Sequence, residues 1–179
     1  MPYSDRARQE FNEATPSQRL EFAVGKNLWL YKVQDVVASS TANGLQIDNL
    51  KPLTYEDYYN ACELAGEILE PLSERFSERA IVNSWFRCRA LNNKLPGAAA
   101  TSDHLTAKAS DIKFELTSTR KLFNFLFSSK LKIDQLIWEY DGKWVHVSHE
   151  PFPQLGAKRQ VFGINRRGRY SISLPLKEE

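Results

Sequence analysis

Two runs of strand-forming residues, 133–140 and 143–149, are separated only by Asp141-Gly142, and no other feature of the chain constrains its fold as much. Asp-Gly between two such runs predicts a tight hairpin closed by a two-residue type I′ turn, because both central residues must take positive φ and these two do so cheaply. The hairpin then pairs Tyr140 with Lys143, Glu139 with Trp144, Trp138 with Val145 and Ile137 with His146. Side chains alternate faces along a strand, so Glu139, Trp144, Ile137 and His146 project one way, and Asp141 and Lys143 the other.

The other elements follow from periodicity. Thr54 with Asp57 makes a capping pair at a helix start. Tyr58, Cys62, Ala65, Ile68 or Leu69, Leu72 and Phe76 then form one apolar stripe at three- and four-residue steps. Cys62 on that stripe reads as packing, and Pro71 inside it predicts a kink or a fresh helical turn. Residues 80–83 are short and β-branched, as in a buried strand. Residues 111–116 alternate apolar and polar, as in a half-buried one. Ser118 caps a second helix with Leu122, Phe123, Leu126 and Phe127 on its apolar face. Two more strands are expected at 160–164 and 169–174, joined by Asn165-Arg166-Arg167-Gly168. Residues 39–53, rich in turn formers, read as a connecting loop. Helices alternating with antiparallel strands predict an α+β fold, with helices packed on a mainly antiparallel sheet. Residues 1–34 form a charged N-terminal arm, broken at Thr15-Pro16-Ser17, and residues 35–179 form the domain proper.

Composition narrows the class of protein. A chain of 179 residues, 42% hydrophobic and 26% charged, has enough apolar surface for a core without staples. Cys62 and Cys88 are too few for a disulfide scaffold or a thiolate zinc site. No apolar run reaches the roughly 18 residues of a membrane span, and no secretory signal is visible, so synthesis in the cytoplasm is expected. A net charge of +2 does not by itself imply nucleic acid. The segment 156–179 carries six Lys or Arg against two Glu, a solvated face before it is an anion-binding one. Its aromatics, Phe162 and Tyr170, make no evident stacking platform, so neither nucleic acid nor membrane is an expected partner.

The three histidines carry the functional signal. Ser102-x-His104-x-x-Ala107-x-Ala109-x-Asp111 resembles the S-x-H-x-x-G-x-A-x-D signature of zinc D-alanyl-D-alanine carboxypeptidases. That superfamily also includes phage cell-wall endopeptidases and the Hedgehog signalling domain. Trp144-Val145-His146 resembles the second part of the signature, and Ser84-Trp85-Phe86-Arg87-Cys88-Arg89-Ala90-Leu91-Asn92 is similar to its S-G-Y-R-S-x-x-L-N element. Ile47-Asp48-Asn49 and Leu69-Glu70-Pro71-Leu72 look like the phage-associated branch. The resemblance spans about residues 35–172. Two departures stand out: Ala107 replaces a glycine, which asks for a little room, and Lys143 stands where many members carry the acidic catalytic base.

The resemblance implies a Hedgehog/D-alanyl-D-alanine-peptidase-like fold, with Zn2+ held by His104, Asp111 and His146. Zinc takes imidazole and carboxylate readily, and three protein ligands leave a coordination position for chemistry. With Lys143 unable to act as base, Glu139 is the first candidate, as a diagonal neighbour of His146 at about 7–8 Å. Asp141 is the second candidate if the turn is irregular. Arg87 would stabilise an oxyanion or hold a substrate carboxylate, unless it is simply a surface ion pair. Ser102, Ser148 and Trp144 are expected beside a substrate, and His149, on the other strand face, is a bystander. The implied activity is hydrolysis of peptide bonds in peptidoglycan stem peptides, as carboxypeptidase or endopeptidase, by a phage-encoded enzyme released at lysis or carried in a virion. A non-catalytic zinc-binding or virion-structural module of the same fold is the alternative.

Overall fold

Thr54 Oγ1 accepts the Asp57 N–H at 3.1 Å, and Asp57 accepts the Thr54 N–H at 2.9 Å. This is the reciprocal cap expected at 54–57. It starts the longest helical run in the computed structural model, which describes residues 4–27, 29–150, 159–165, 167–172, 174, 176 and 177. Helix α5 (Tyr55–Leu64) runs into a π-helical turn, Ala65–Leu69, and resumes as α6 (Glu70–Phe76). Pro71 lies in the first turn of α6, where a missing N–H costs least, and the wide turn before it absorbs the break. Cys62, Leu64, Ile68, Leu69 and Leu72 are buried.

Ahead of this run lie α1 (Asp5–Glu13), α2 (Pro16–Leu20), the short strands β1 (Ala23–Val24) and β2 (Tyr31–Lys32), and α3 (Val33–Val37). The break between α1 and α2 falls at Thr15, whose Oγ1 accepts the Gln18 N–H. Phe11 of α1 is buried and stacks on Tyr58 of α5 at 4.9 Å. The 39–53 segment is not loop throughout: Ser39 caps a short helix, α4 (Ser40–Gly44).

The main sheet is six-stranded. Its strands are β3 (Ile81–Ser84), β4 (Ala109–Lys113), β5 (Gln135–Glu139), β6 (Trp144–Ser148), β7 (Gln160–Asn165) and β8 (Gly168–Tyr170), in the order β3-β4-β6-β5-β7-β8. All neighbours are antiparallel except β5 and β7. Three strand expectations change. The 80–83 strand is an edge strand and half exposed rather than buried, with Ile81 at 37%. The strand expected at 111–116 begins two residues earlier and is buried on both faces over 109–112, with β3 and β6 paired along its edges. The last strand stops at Tyr170, and residue 173 of its expected extension lies outside the described residues. Residues 156–158 and 166 of the basic segment also lie outside them.

The hairpin has the expected register: Glu139 opposite Trp144, Trp138 opposite Val145, Ile137 opposite His146. Its turn differs. Tyr140, Asp141 and Gly142 all take positive φ, and the Glu139 carbonyl accepts both the Gly142 and Lys143 N–H groups. Four residues therefore connect the last rung, instead of two. Only glycine fits at 142, where a Cβ would stand 2.3 Å from the Trp138 ring.

After β3 comes a short helix, α7 (Arg89–Asn92), and helix α8 (Thr119–Ser128) starts at Ser118, whose Oγ accepts the Lys121 N–H. It buries Leu122, Phe123 and Leu126, and sets Phe123 edge-on against Trp138 at 5.5 Å. Arg159 closes its far end, donating to the carbonyls of Leu126, Phe127, Ser129 and Leu131. A cation belongs there, at the negative end of the helix dipole. The helix covers the Leu136, Trp138, Val145 and Val147 face of β5–β6, so the Ile137, Glu139, Trp144 and His146 face is turned to the site. No helix among the described residues is long and apolar enough to cross a membrane.

Candidate metal centre

Sheet register brings distant residues together. Asp111 of β4 lies opposite His146 of β6, and Ser84 of β3 lies opposite Asp111, so one row crosses three strands. Directly opposed residues share a face, and His146 Nδ1 stands 2.9 Å from Asp111 Oδ1. His104 comes from a short 3₁₀ turn, Asp103–Thr106, next to β4. Its Nδ1 lies 2.6 Å from the Trp85 carbonyl, an arrangement that requires the proton on Nδ1 and turns the Nε2 lone pair inward. Nε2 is 3.2 Å from both His146 Nδ1 and Asp111 Oδ1.

These three atoms form a triangle with sides of 2.9, 3.2 and 3.2 Å. Donors bound at about 2.0–2.1 Å around a tetrahedral zinc stand roughly 3.3 Å apart, so the triangle fits one tetrahedral face. The proton count agrees. With the His104 proton committed to Trp85, at most one proton, on His146 Nδ1, is left for three converging lone-pair atoms, whereas one cation serves all three. His146 Nε2 is buried and has no hydrogen-bond partner among the described residues. His104, Asp111 and His146 are all buried and grouped as a metal site requires.

The electrostatics also favour a cation. Burial pushes the Asp111 carboxyl up, but His104 and His146 outweigh it and hold Asp111 well below the usual carboxylate range. Burial pushes His104 down, against the pull of Asp111, and so favours the neutral imidazole that a metal needs. Arg87 Nη2 donates to Asp111 Oδ2 at 2.5 Å and its Nε donates to Ser84 Oγ at 2.8 Å. Arg87 is thus a half-buried partner of the carboxylate and not a surface ion pair.

The loop that carries Arg87 is pinned from both sides. Its own N–H meets the His104 carbonyl, the Phe86 N–H meets Val36, and the Trp85 indole donates to the Ala107 carbonyl. Buried Asn49 completes the clamp, donating to Val37 and Phe86 carbonyls and accepting the Cys88 N–H. Ser84 and Asn49 carry no sequence signal of their own beyond standing in the 84–92 and 47–49 motifs.

Glu139 lies on the site face, on the closing rung of the hairpin, and feels the charges of Asp111, His146 and Arg87. Burial, then the Asp111 charge, raises its carboxyl above the ordinary value. Trp144 Nε1 donates to Glu139 Oε2 at 3.1 Å. Asp141 lies toward β8, where burial and then its charge raise the Tyr170 hydroxyl above the ordinary value, and Lys143 is exposed. Ser102 precedes the 3₁₀ turn and is half-buried, with no side-chain cap bond. Ser148 is buried, its Oγ accepting the Gln135 N–H at 3.1 Å, which ties it to the start of β5. His149 is buried away from the triangle, with Nδ1 against the Lys132 carbonyl. Ala107 has φ +56°, so the glycine it replaces serves a left-handed backbone and not only a need for room.

A protein family described as Peptidase M15 matches residues 35–148, which hold every residue of this centre. No curated protein and no solved structure matches the chain.

Proposed function

The chain belongs to the Peptidase M15 family of metallopeptidases, and on that premise we propose that it is a zinc-dependent hydrolase of peptide bonds in peptidoglycan stem peptides. The observation that carries the reading is the convergence of His104 Nε2, Asp111 Oδ1 and His146 Nδ1 on one point, with Glu139 on the same sheet face. Those three residues hold the metal. Zinc bound there supplies Lewis acidity, acidifying water toward a pKa of about 7 and polarising a peptide carbonyl.

The remaining work falls to side chains of this chain. Glu139 takes a proton from water on its carboxylate and passes it to the leaving amine. Arg87 holds Asp111 by Oδ2, which keeps Oδ1 on the triangle, and its remaining guanidinium N–H groups bind a substrate oxygen. Ser102, with its hydroxyl free of a cap, hydrogen-bonds the peptide. The enzyme is phage-encoded, made in the cytoplasm, and meets the wall at lysis or as part of a virion.

Metal analysis, thermal shift and release of amino groups from purified peptidoglycan test the reading together. Zinc at about 100 times its Kd stabilises the protein by about 2.7 kcal/mol, and His146→Ala abolishes the shift, the zinc and the turnover. Full activity in His104→Ala/His146→Ala would overturn it. A zinc-binding or virion-structural module of the same fold remains the distinct outcome, and it predicts bound zinc with no amino-group release from wild type.

A further inference from the structure

Glu139 and Trp144 form the last rung of the β5–β6 ladder, so their side chains rise side by side on the site face. The indole Nε1–H spans the rung to Glu139 Oε2 at 3.1 Å. Beyond the rung the chain is stiff. Three residues take positive φ, the Tyr140 N–H bonds to the Ile164 carbonyl of β7 at 2.7 Å, and the Tyr140 ring lies 5.2 Å from that of Trp144. The donor is therefore fixed while its acceptor sits on a flexible three-torsion side chain.

From this geometry we propose that Trp144 is a positioning residue, whose indole N–H aims the Glu139 carboxylate at the metal centre. An indole N–H is a donor only and does not compete for the proton that Glu139 must carry. It holds Oε2 and leaves Oε1, which has no partner among the described residues, for proton transfer. Lys143 cannot substitute as base, so the rung supplies across the hairpin what the preceding loop lacks. The inference rests on Glu139 being the base.

The test uses the full chain and the conservative variant Trp144→Phe, which keeps the ring and removes the donor. Misplacing a catalytic group costs up to about 100-fold, so kcat on purified peptidoglycan should fall about 10- to 100-fold, with KM and zinc content unchanged. The double variant Trp144→Phe/Glu139→Gln should be no slower than Glu139→Gln alone. A second readout needs neither metal nor turnover. Four tryptophans give four indole N–H signals in zinc-free protein; Trp144→Phe identifies one by its loss, and Glu139→Gln should move that one upfield. A raised KM in Trp144→Phe, a further loss in the double variant, or an indole signal indifferent to Glu139→Gln would each overturn the inference. Inactive Glu139→Gln beside fully active Trp144→Phe sinks the positioning role alone. Fully active Glu139→Gln removes the base assignment, and the positioning role with it.

Discussion

Ala107 shows what a single residue carries. It is fully buried at φ +56°, between His104 and the first residue of β4. Its carbonyl takes the Trp85 indole proton, and the Trp85 carbonyl takes that of His104. The left-handed turn thus belongs to the same chain of hydrogen bonds that holds the ring of one ligand. Alanine pays about 1–2 kcal/mol for that backbone, offset in part by a less flexible unfolded chain and a buried methyl. Ala107→Gly should therefore change stability by less than about 1 kcal/mol. Ala107→Val adds β-branching at positive φ and overpacks a closed site, so denaturant unfolding should show a loss of at least about 2 kcal/mol. Equal stability of the two variants would refute the account. Resemblance to the S-x-H-x-x-G-x-A-x-D signature made His104 and Asp111 legible in sequence. The reason for its glycine was not, because a dihedral angle leaves no trace in composition.

At the level of elements, caps and registers were legible and turn geometry was not. Thr54 and Ser118 start helices as expected, since an N-cap needs only groups three residues apart. The hairpin kept its register because a slip of one residue would turn Trp138 and Val145 away from α8 and onto the site face. Its turn lengthened because contacts fasten it, Asp141 toward Tyr170 and Tyr140 to Ile164 from outside the hairpin and Gly142 under Trp138 within it. The π-helical turn shows the same dependence on distant partners. Its Glu67 bonds Lys26 of the β1–β2 loop at 2.9 Å and Lys132, ahead of β5, at 3.2 Å. Lys26 chiefly, then Lys132, lowers the Glu67 carboxyl, and burial opposes them. A depressed carboxylate contributes stability above its unfolded pKa of about 4.3, and loses it as pH falls through the folded value. Both lysines are mostly exposed, so solvent screens the pair and the contribution is about 0.5 kcal/mol. Glu67→Gln should be less stable by about that amount at pH 7, with the two stabilities converging as pH falls through the folded value of Glu67. A difference that persists in acid would mean that packing, not charge, is responsible.

For the whole molecule, the Peptidase M15 match begins at residue 35, but Phe11, Val24, Tyr31 and Val33, ahead of it, are buried in the same hydrophobic core. Phe11 is 1% exposed, stacked on Tyr58 and edge-on to Tyr55, with Arg19 over its ring at 4.9 Å. If this cluster is part of one cooperative core, Phe11→Ala should cost about 3–5 kcal/mol in a single unfolding transition. A separate arm would instead give an early minor transition and leave the main midpoint unmoved. By itself the sequence determined the α+β class, the helix starts, the hairpin register and the identities of the three converging side chains. The first three depend on periodicity, spacing or capping within a few residues, and the last on the resemblance of three motif blocks to a known signature. Only the tertiary structure decided that β7 runs parallel to β5, that β4 is buried on both faces, that Ser84, Asp111 and His146 fall in one row, and that Trp144 reaches Glu139. Those outcomes come from burying surfaces far apart in the chain, and local sterics carry no information about which distant surface will cover them.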